Sequence, residues 1–337
     1  MRNKVRLEDI AKECRVTKGL VSRALGGKYN VSDETRSQII QKAAEMGYDS
    51  TRLRSRPETI SRVLLIISLR IMLKEDYWQP IIKAISATLD RFSVVLEYFV
   101  YEENKIDQEA LEKLTNTKSN AFIVIHSNPS VINDHLKNLG KPVVEVDPKL
   151  FHSDSVTKVK FSNYDSMYQA TEELIKNGHK TLAFYGSDAH STSFRERHEG
   201  FLAAVENYKD LGIEGYSVNF DNGALNYADD VALRKALGEH PITGLVCAND
   251  IIALNAYKVI ESMKKRIPDD LSVIGFDNIK EGSYANPPLS TFNVPREELG
   301  KEVANYLVGM FSEKQLQYSQ IVIHCPFIPR ASLKKIA

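Results

Sequence analysis

Cysteine is scarce: Cys14, Cys247 and Cys325 are the only three in 337 residues, odd in number and far apart. That excludes a disulfide framework and any cysteine-based metal centre, and it fits a reducing compartment, the cytoplasm. No apolar run approaches the roughly 20 residues that a bilayer span requires, so no membrane partner is expected. The chain reaches Glu8 and Asp9 without a continuous apolar stretch, so no secretory leader is expected either. Excess charge of one sign is missing too, because 44 Lys and Arg face 44 Asp and Glu. Also missing are a Walker A sequence, a GxGxxG after a strand, an HExxH helix and a GxSxG elbow. With so many carboxylates, acid–base pairs can be nominated anywhere by chance, and no catalytic residue, cofactor or metal is expected.

What is present is unevenly distributed. Residues 1–62 hold 14 Lys and Arg against 8 Asp and Glu, a net charge of about +6, and the remainder carries the opposite balance. A basic head of this kind suits a polyanion. Within it, Leu7, Ile10, Ala11 and Cys14 follow the i, i+3, i+4, i+7 rule of a short amphipathic helix. A second helix is predicted from Lys18 to Leu25, capped by Thr17 and stopped by Gly26 and Gly27. Ser32 caps a third, in which Ile39, Ala43 and Met46 share a face before Gly47. Three short helices this close together make one small domain over residues 1–49.

The segments VRLEDIAKECRVTKGLVSRALGG and NVSDETRSQIIQKAAEMGY resemble the DNA-binding head of the lactose and galactose repressor family. The resemblance implies a helix-turn-helix whose second helix, Lys18 to Leu25, enters the major groove. Thr17, Lys18, Gly19, Ser22 and Arg23 would then face double-stranded operator DNA. Arg23 is the strongest candidate for base reading, since its fork pairs bidentately with guanine, whereas Gly19 has no side chain to read with. Two departures stand out. The family has Thr or Ser at the first helix cap, where this chain has Arg6, and Gly in the turn, where it has Arg15. A left-handed Arg15 would be strained by about 1 kcal/mol; the plain alternative for both arginines is solvated surface.

Residues 50–61 read as a polar, basic linker containing Arg52, Arg54, Arg56 and Pro57. In the family this region forms a hinge helix with a Leu wedge in the minor groove, and here Arg56 or Pro57 stands near the wedge position. The three arginines are instead expected to follow a narrowed minor groove electrostatically.

From Arg62 onward, short apolar runs alternate with amphipathic segments: RVLLIIS, SVVLEYFV, AFIVIH, KPVVEV, TLAFYG, GLVCA and LSVIGF are the candidate strands. This predicts an α/β body over residues 62–337, two doubly wound parallel-sheet lobes with a ligand cleft at the carboxyl ends of the strands. The clusters VKFSNYD, STSFRERHEGF, VCANDIIALNAY, IPDDLSVIGFDN and PPLSTFNVPREELG occur in the order of the same family, whose bodies resemble periplasmic binding proteins. That resemblance implies an effector site built from Asp147, Phe161, Ser193, Arg197, Asn249 and Asp277. Carboxylates accept hydroxyls, Arg and Asn donate, and an aromatic face covers C–H patches, which is the chemistry of a small sugar. Simpler roles stand beside these: a helix cap for Asn249 or Asp250, core for Phe161, a turn for Asp147. Where many sugar-responsive members place an aromatic after an Asp, this chain has Asp221 followed by Asn222. Arg70, Glu97 and His126, near the ends of first-lobe strands, are further candidates for the ligand's other face. The long helix near Val303 to Phe311 is expected in the second lobe. The resemblance also implies a homodimer on a near-palindromic operator, and with no heptad tail after FIPRASLKKIA no tail-mediated tetramer is expected. Alternatives to a sugar are a purine co-repressor and a phosphorylated carrier protein.

Overall fold

A computed structural model describes residues 5–25, 31–48, 61–102, 106–126, 130–149, 156–187, 191–219, 230–312 and 320–336. The linker arginines Arg52, Arg54 and Arg56, and the pair Asp221 and Asn222, lie outside the described residues.

The head consists of α1 (Leu7–Glu13), α2 (Lys18–Leu25) and α3 (Asp33–Glu45). Ile10, Ala11, Val21, Ala24, Ile39 and Ala43 are its buried centre, the predicted stripes facing one another. Helix α1 ends in a left-handed cap: the Val16 N–H donates to Ala11 O at 2.9 Å, the Arg15 N–H to Lys12 O at 3.3 Å, and Arg15 has φ 53°. A large cationic residue therefore occupies the geometry that favours glycine. At the other end Arg6 gives no side-chain cap; the Asp9 carboxylate accepts the Arg6 N–H at 2.7 Å instead. Ser32 does cap α3, accepting the Thr35 N–H at 3.3 Å, and Gly47 closes it at φ 71°.

The body opens with β1 (Arg62–Ser68), α4 (Leu69–Met72), α5 (Glu75–Asp90), β2 (Val95–Tyr101), α6 (Gln108–Thr115), β3 (Ala121–Ile125), α7 (Ser130–Asn138), β4 (Val143–Val146) and β5 (Thr157–Phe161). It continues with α8 (Asn163–Lys176), β6 (Thr181–Gly186), α9 (Thr192–Asn207), β7 (Glu214–Asn219), α10 (Asp230–Glu239), β8 (Gly244–Cys247), α11 (Asp250–Ser262), β9 (Ser272–Ile274), α12 (Lys280–Ser283), β10 (Thr291–Phe292), α13 (Arg296–Ser312), β11 (Gln320–Ile323) and β12 (Phe327–Ile328). The first lobe is a six-stranded parallel sheet in the order β2-β1-β3-β4-β5-β11, and the second a four-stranded parallel sheet, β7-β6-β8-β9. Strand order reverses at β1/β3 and at β6/β8, which opens a crevice at the carboxyl ends of each.

The chain passes between lobes after β5, after β10 and after β11. These crossings are tied side by side: the Ser162 N–H donates to Ile323 O at 2.9 Å, the Cys325 N–H to Ser162 Oγ at 3.0 Å, and the Asn293 N–H to Pro326 O at 2.9 Å. Helix α13 corrects the sequence reading. It packs not on the second sheet but on the first, against α5 and β5. Gly300 permits this, because a Cβ there would lie 2.4 Å from Ile81 O, so only a bare backbone lets the helices cross this closely.

Candidate functional site

Helix α2 turns Thr17, Lys18, Gly19 and Arg23 outward, with Ser22 half-buried beside them. Thr17 acts as a cap as well, accepting the Leu20 N–H at 3.2 Å. Lys18 pairs with Glu8 of α1 at 2.5 Å, and that hydrogen bond holds the Glu8 carboxyl below its usual range. Arg36 of α3 donates to Ala24 O at 3.2 Å, anchoring the end of α2. The five candidates thus share one open surface on a helix held by both neighbours, the geometry a major groove admits.

In the body, strand ends from both lobes converge. Asp147 follows β4, Ala248 and Asn249 follow β8, and Asp277 follows β9. Ser193 and Arg197 lie on the first turns of α9. Across the lobes, Ser193 Oγ donates to Asp147 Oδ1 at 2.6 Å and the Thr192 N–H donates to Lys149 O at 2.9 Å. Arg197, only 3% exposed, donates from Nε to Asn163 Oδ1 at 2.9 Å and from Nη1 to Ala248 O at 2.8 Å, with its guanidinium 3.8 Å from the Phe276 ring centre. Asn163 is fixed in turn by Glu196, which also binds Lys160. Asp277 is 8% exposed, and its buried Oδ1 has no hydrogen-bond partner. Burial raises its pKa, and Arg197 and Arg296 oppose that rise.

Sequence reasoning missed Arg296, Tyr77 and Trp78. Arg296, at the start of α13, donates from Nη2 to Asp277 O at 3.0 Å and lies 4.8 Å from the Tyr77 ring centre. Its buried Nε is unpartnered. Tyr77 meets Trp78 edge-on at 4.9 Å, and Trp78 lies 5.4 Å from the His126 ring. Burial, then the Asp147 and Asp277 carboxylates, push the Tyr77 hydroxyl well above its usual pKa. The available signal was the aromatic pair in YWQP at a helix start, just after the first strand.

The other candidates divide. His126 belongs to the cluster: its Nδ1 donates to Asp147 O at 2.9 Å, and burial lowers its pKa, leaving a neutral ring near pH 7. Asn249 rather than Asp250 caps α11, accepting the Ile252 N–H at 2.9 Å. Phe161 is fully buried in the core. Glu97 is not at the site; it pairs with Arg62 at 2.5 Å and accepts the Ser119 hydroxyl at 3.2 Å, near the opposite ends of the strands. Arg70 is exposed on α4. Among the described residues no group of His, Cys, Asp and Glu could hold a metal ion, and no helix is long and apolar enough to cross a membrane.

A helix-turn-helix head joined to a two-lobed body with polar side chains converging between the lobes defines a ligand-responsive transcription regulator. Residues 6–50 match the bacterial regulatory proteins of the lacI family, and residues 171–333 match the periplasmic binding protein-like domain. The chain is 26% identical to the HTH-type transcriptional repressor PurR of Mannheimia succiniciproducens, over 98% of this chain and 99% of that protein. It is 24% identical to the probable HTH-type transcriptional repressor ExuR of Bacillus subtilis, over the same shares. Among solved structures, the transcriptional regulator CelR in complex with cellobiose superposes with a TM-score of 0.65 at 23% identity, covering 98% of this chain and 100% of that one. The lac repressor dimer bound to operator and the anti-inducer ONPF gives 0.64 at 20%, covering 98% and 99%. The head thus matches the lacI family of bacterial regulatory proteins and the second half of the chain a periplasmic binding protein-like domain, the make-up of the repressors it resembles along its whole length.

Proposed function

We propose that this chain is a cytoplasmic, non-catalytic repressor whose operator affinity is set by a small sugar held between the lobes by Asp147, Ser193, Arg197, Asn249 and Asp277, with Phe161 behind them. The observation that carries this reading is the pair of unpartnered buried atoms, Asp277 Oδ1 and Arg296 Nε, one acceptor and one donor beside an aromatic pair. An oriented hydroxyl satisfies both kinds of atom, and a buried polar atom without a partner costs about 1–3 kcal/mol. The division into head (1–49), linker (50–61) and body (62–337) follows, with Thr17, Lys18, Gly19, Ser22 and Arg23 on the major groove and Arg52, Arg54 and Arg56 along the minor groove.

Two heads on one operator require a homodimer. Strand β2, at the edge of the first sheet, exposes Val95, Tyr98 and Val100, with Phe92 just before it. An open edge with apolar side chains is a surface that a second copy covers. Effector closure of the lobes then changes the spacing of the two heads, and a coupling of about 1–3 kcal/mol gives a 5- to 150-fold switch.

The test is fluorescence anisotropy of an operator selected in vitro, titrated at fixed salt with sugars, sugar phosphates and purines. Release by a sugar is the expected result. Tightening by a purine, the alternative favoured by relatives named PurR, would replace the sugar reading with co-repression. Silence across the panel would point to a phosphorylated carrier protein.

A further inference from the structure

Both guanidiniums of the cleft are bonded to neutral oxygens only. Arg197 spends its hydrogen bonds on the Asn163 amide and the Ala248 carbonyl. Arg296 donates to the Asp277 carbonyl, and its buried Nε has no partner. The carboxylates nearby are committed differently: Asp147 accepts the Ser193 hydroxyl, Glu196 is taken by Lys160 and Asn163, and Asp277 Oδ1 bonds to nothing. Lys74 and Lys149, at the rim, add positive potential felt at Asp277 and His126 respectively.

A neutral polyol gives such guanidiniums no opposite charge. Asp277 acts on both guanidiniums only beyond ion-pair distance, so neither makes a direct ion pair, and an anion on the open Nε edge of Arg296 forms the shorter, charge-assisted bonds that a neutral hydroxyl does not. Resting on the effector site proposed above, we propose that the effector is an anionic polyol, in which a carboxylate or phosphate seats on Arg296 while a neighbouring hydroxyl donates to Asp277. Arg296 lies 4.8 Å from the Tyr77 ring centre with its buried Nε unpartnered, and that N–H can meet one oxygen of a trigonal or tetrahedral anion.

The protein contains its own reporter. Trp78 is the sole tryptophan of the chain, is 3% exposed, and touches the Tyr77 and His126 rings of the site. Its emission reads binding to the full-length chain without DNA. We would titrate matched probes: galactose against galacturonate, and glucose against glucuronate and glucose 6-phosphate. In at least one set an anionic member should bind about ten-fold tighter than its neutral parent, the size of one charge-assisted bond. Preference for the carboxylates or for the phosphate tells which anion it is. Arg296→Gln should bring the pair to within about two-fold, and Arg296→Lys, which keeps the charge but not the fork, should keep only part of the preference. A neutral parent bound as tightly as its acids overturns the anionic assignment and leaves the sugar site standing, whereas binding of no probe overturns both. A preference untouched by Arg296→Gln removes Arg296 from the contact.

Discussion

Asp250 offers a test of how the second lobe holds its half of the site. It opens α11 with no exposed surface; Oδ1 accepts the Thr291 hydroxyl at 2.6 Å, Oδ2 accepts the Ile279 N–H at 2.9 Å, and its own N–H donates to Phe276 O at 2.8 Å. These bonds pin the loop that presents Asp277, and Gly275 leaves room for them, since a Cβ there would meet Asp250 Oδ1 at 2.2 Å. Burial, and next the Asp277 carboxylate, raise the Asp250 pKa from 3.8 to about 7, against the pull of Thr291, Ile279 and Arg330. Between those values the folded chain binds the proton more tightly than the unfolded one. Stability from this group is therefore present at low pH and is lost as pH climbs from about 4 to about 7. At 1.36 kcal/mol per pH unit the ceiling is ~4 kcal/mol, and local relaxation makes about half of that a realistic expectation. Asn mimics the neutral acid, its oxygen accepting from Ile279 and its amide donating to Thr291. Asp250→Asn should thus be about 1–3 kcal/mol more stable than the parent near pH 8, with the gap closing near pH 5. Urea denaturation followed by Trp78 emission across that range measures it. Parallel stability curves for the two chains would refute the reasoning, because Asp250 would then be ionised throughout and stabilised by its two donors.

Gly300→Ala forces α13 away from Ile81 O, and overpacking of this kind costs about 1–3 kcal/mol in denaturation experiments; unchanged stability would mean that the two helices part there at no cost. Arg15→Gly relieves a left-handed residue and should raise the stability of the head by about 1 kcal/mol, seen as an upward shift of its calorimetric transition. A lower transition would show that the arginine side chain contributes more than its backbone costs. Arg23→Ala should lose about 1–3 kcal/mol on a selected operator and little on random DNA in anisotropy titrations. Equal losses on both would confine Arg23 to phosphate contact.

The head was legible almost to the residue because its information is local. Stripes at i, i+3 and i+4, and Thr17 and Ser32 as caps, follow from neighbours along the chain, whereas the left-handed Arg15 was suggested only by the family's glycine at that place. Seven of the body's strands, β1–β4, β6, β8 and β9, were legible for a similar reason, their apolar runs being bounded by polar strand ends, whereas β5, β7, β10, β11 and β12, short or mixed in polarity, were not named. What failed was long-range. Periodicity says that α13 buries a face but not which sheet it covers, and the deciding contact joins Gly300 to Ile81, far apart in sequence. Glu97 failed likewise: its strand was recognisable, whereas its pairing with Arg62 depends on the register of β1 against β2.

The site itself shows where strand-end reasoning gains its force and where it stops. His126, Asp147 and Asp277 follow β3, β4 and β9, and all lie in the left-handed region, at φ 44°, 45° and 115°. Such conformations are strained for residues with a Cβ and persist only where the surroundings over-determine them. Here each backbone N–H is captured, by Val146 O, Val159 O and Phe292 O respectively. The turn ends the pleat and breaks its alternation, so these side chains no longer follow the in–out order of the strands that precede them. Motif order along the chain could therefore nominate Asp147 and Asp277. It could not indicate that Tyr77 and Arg296, from the starts of two helices crossing at Gly300, would meet them, because that meeting is made by the helix crossing and not by any strand.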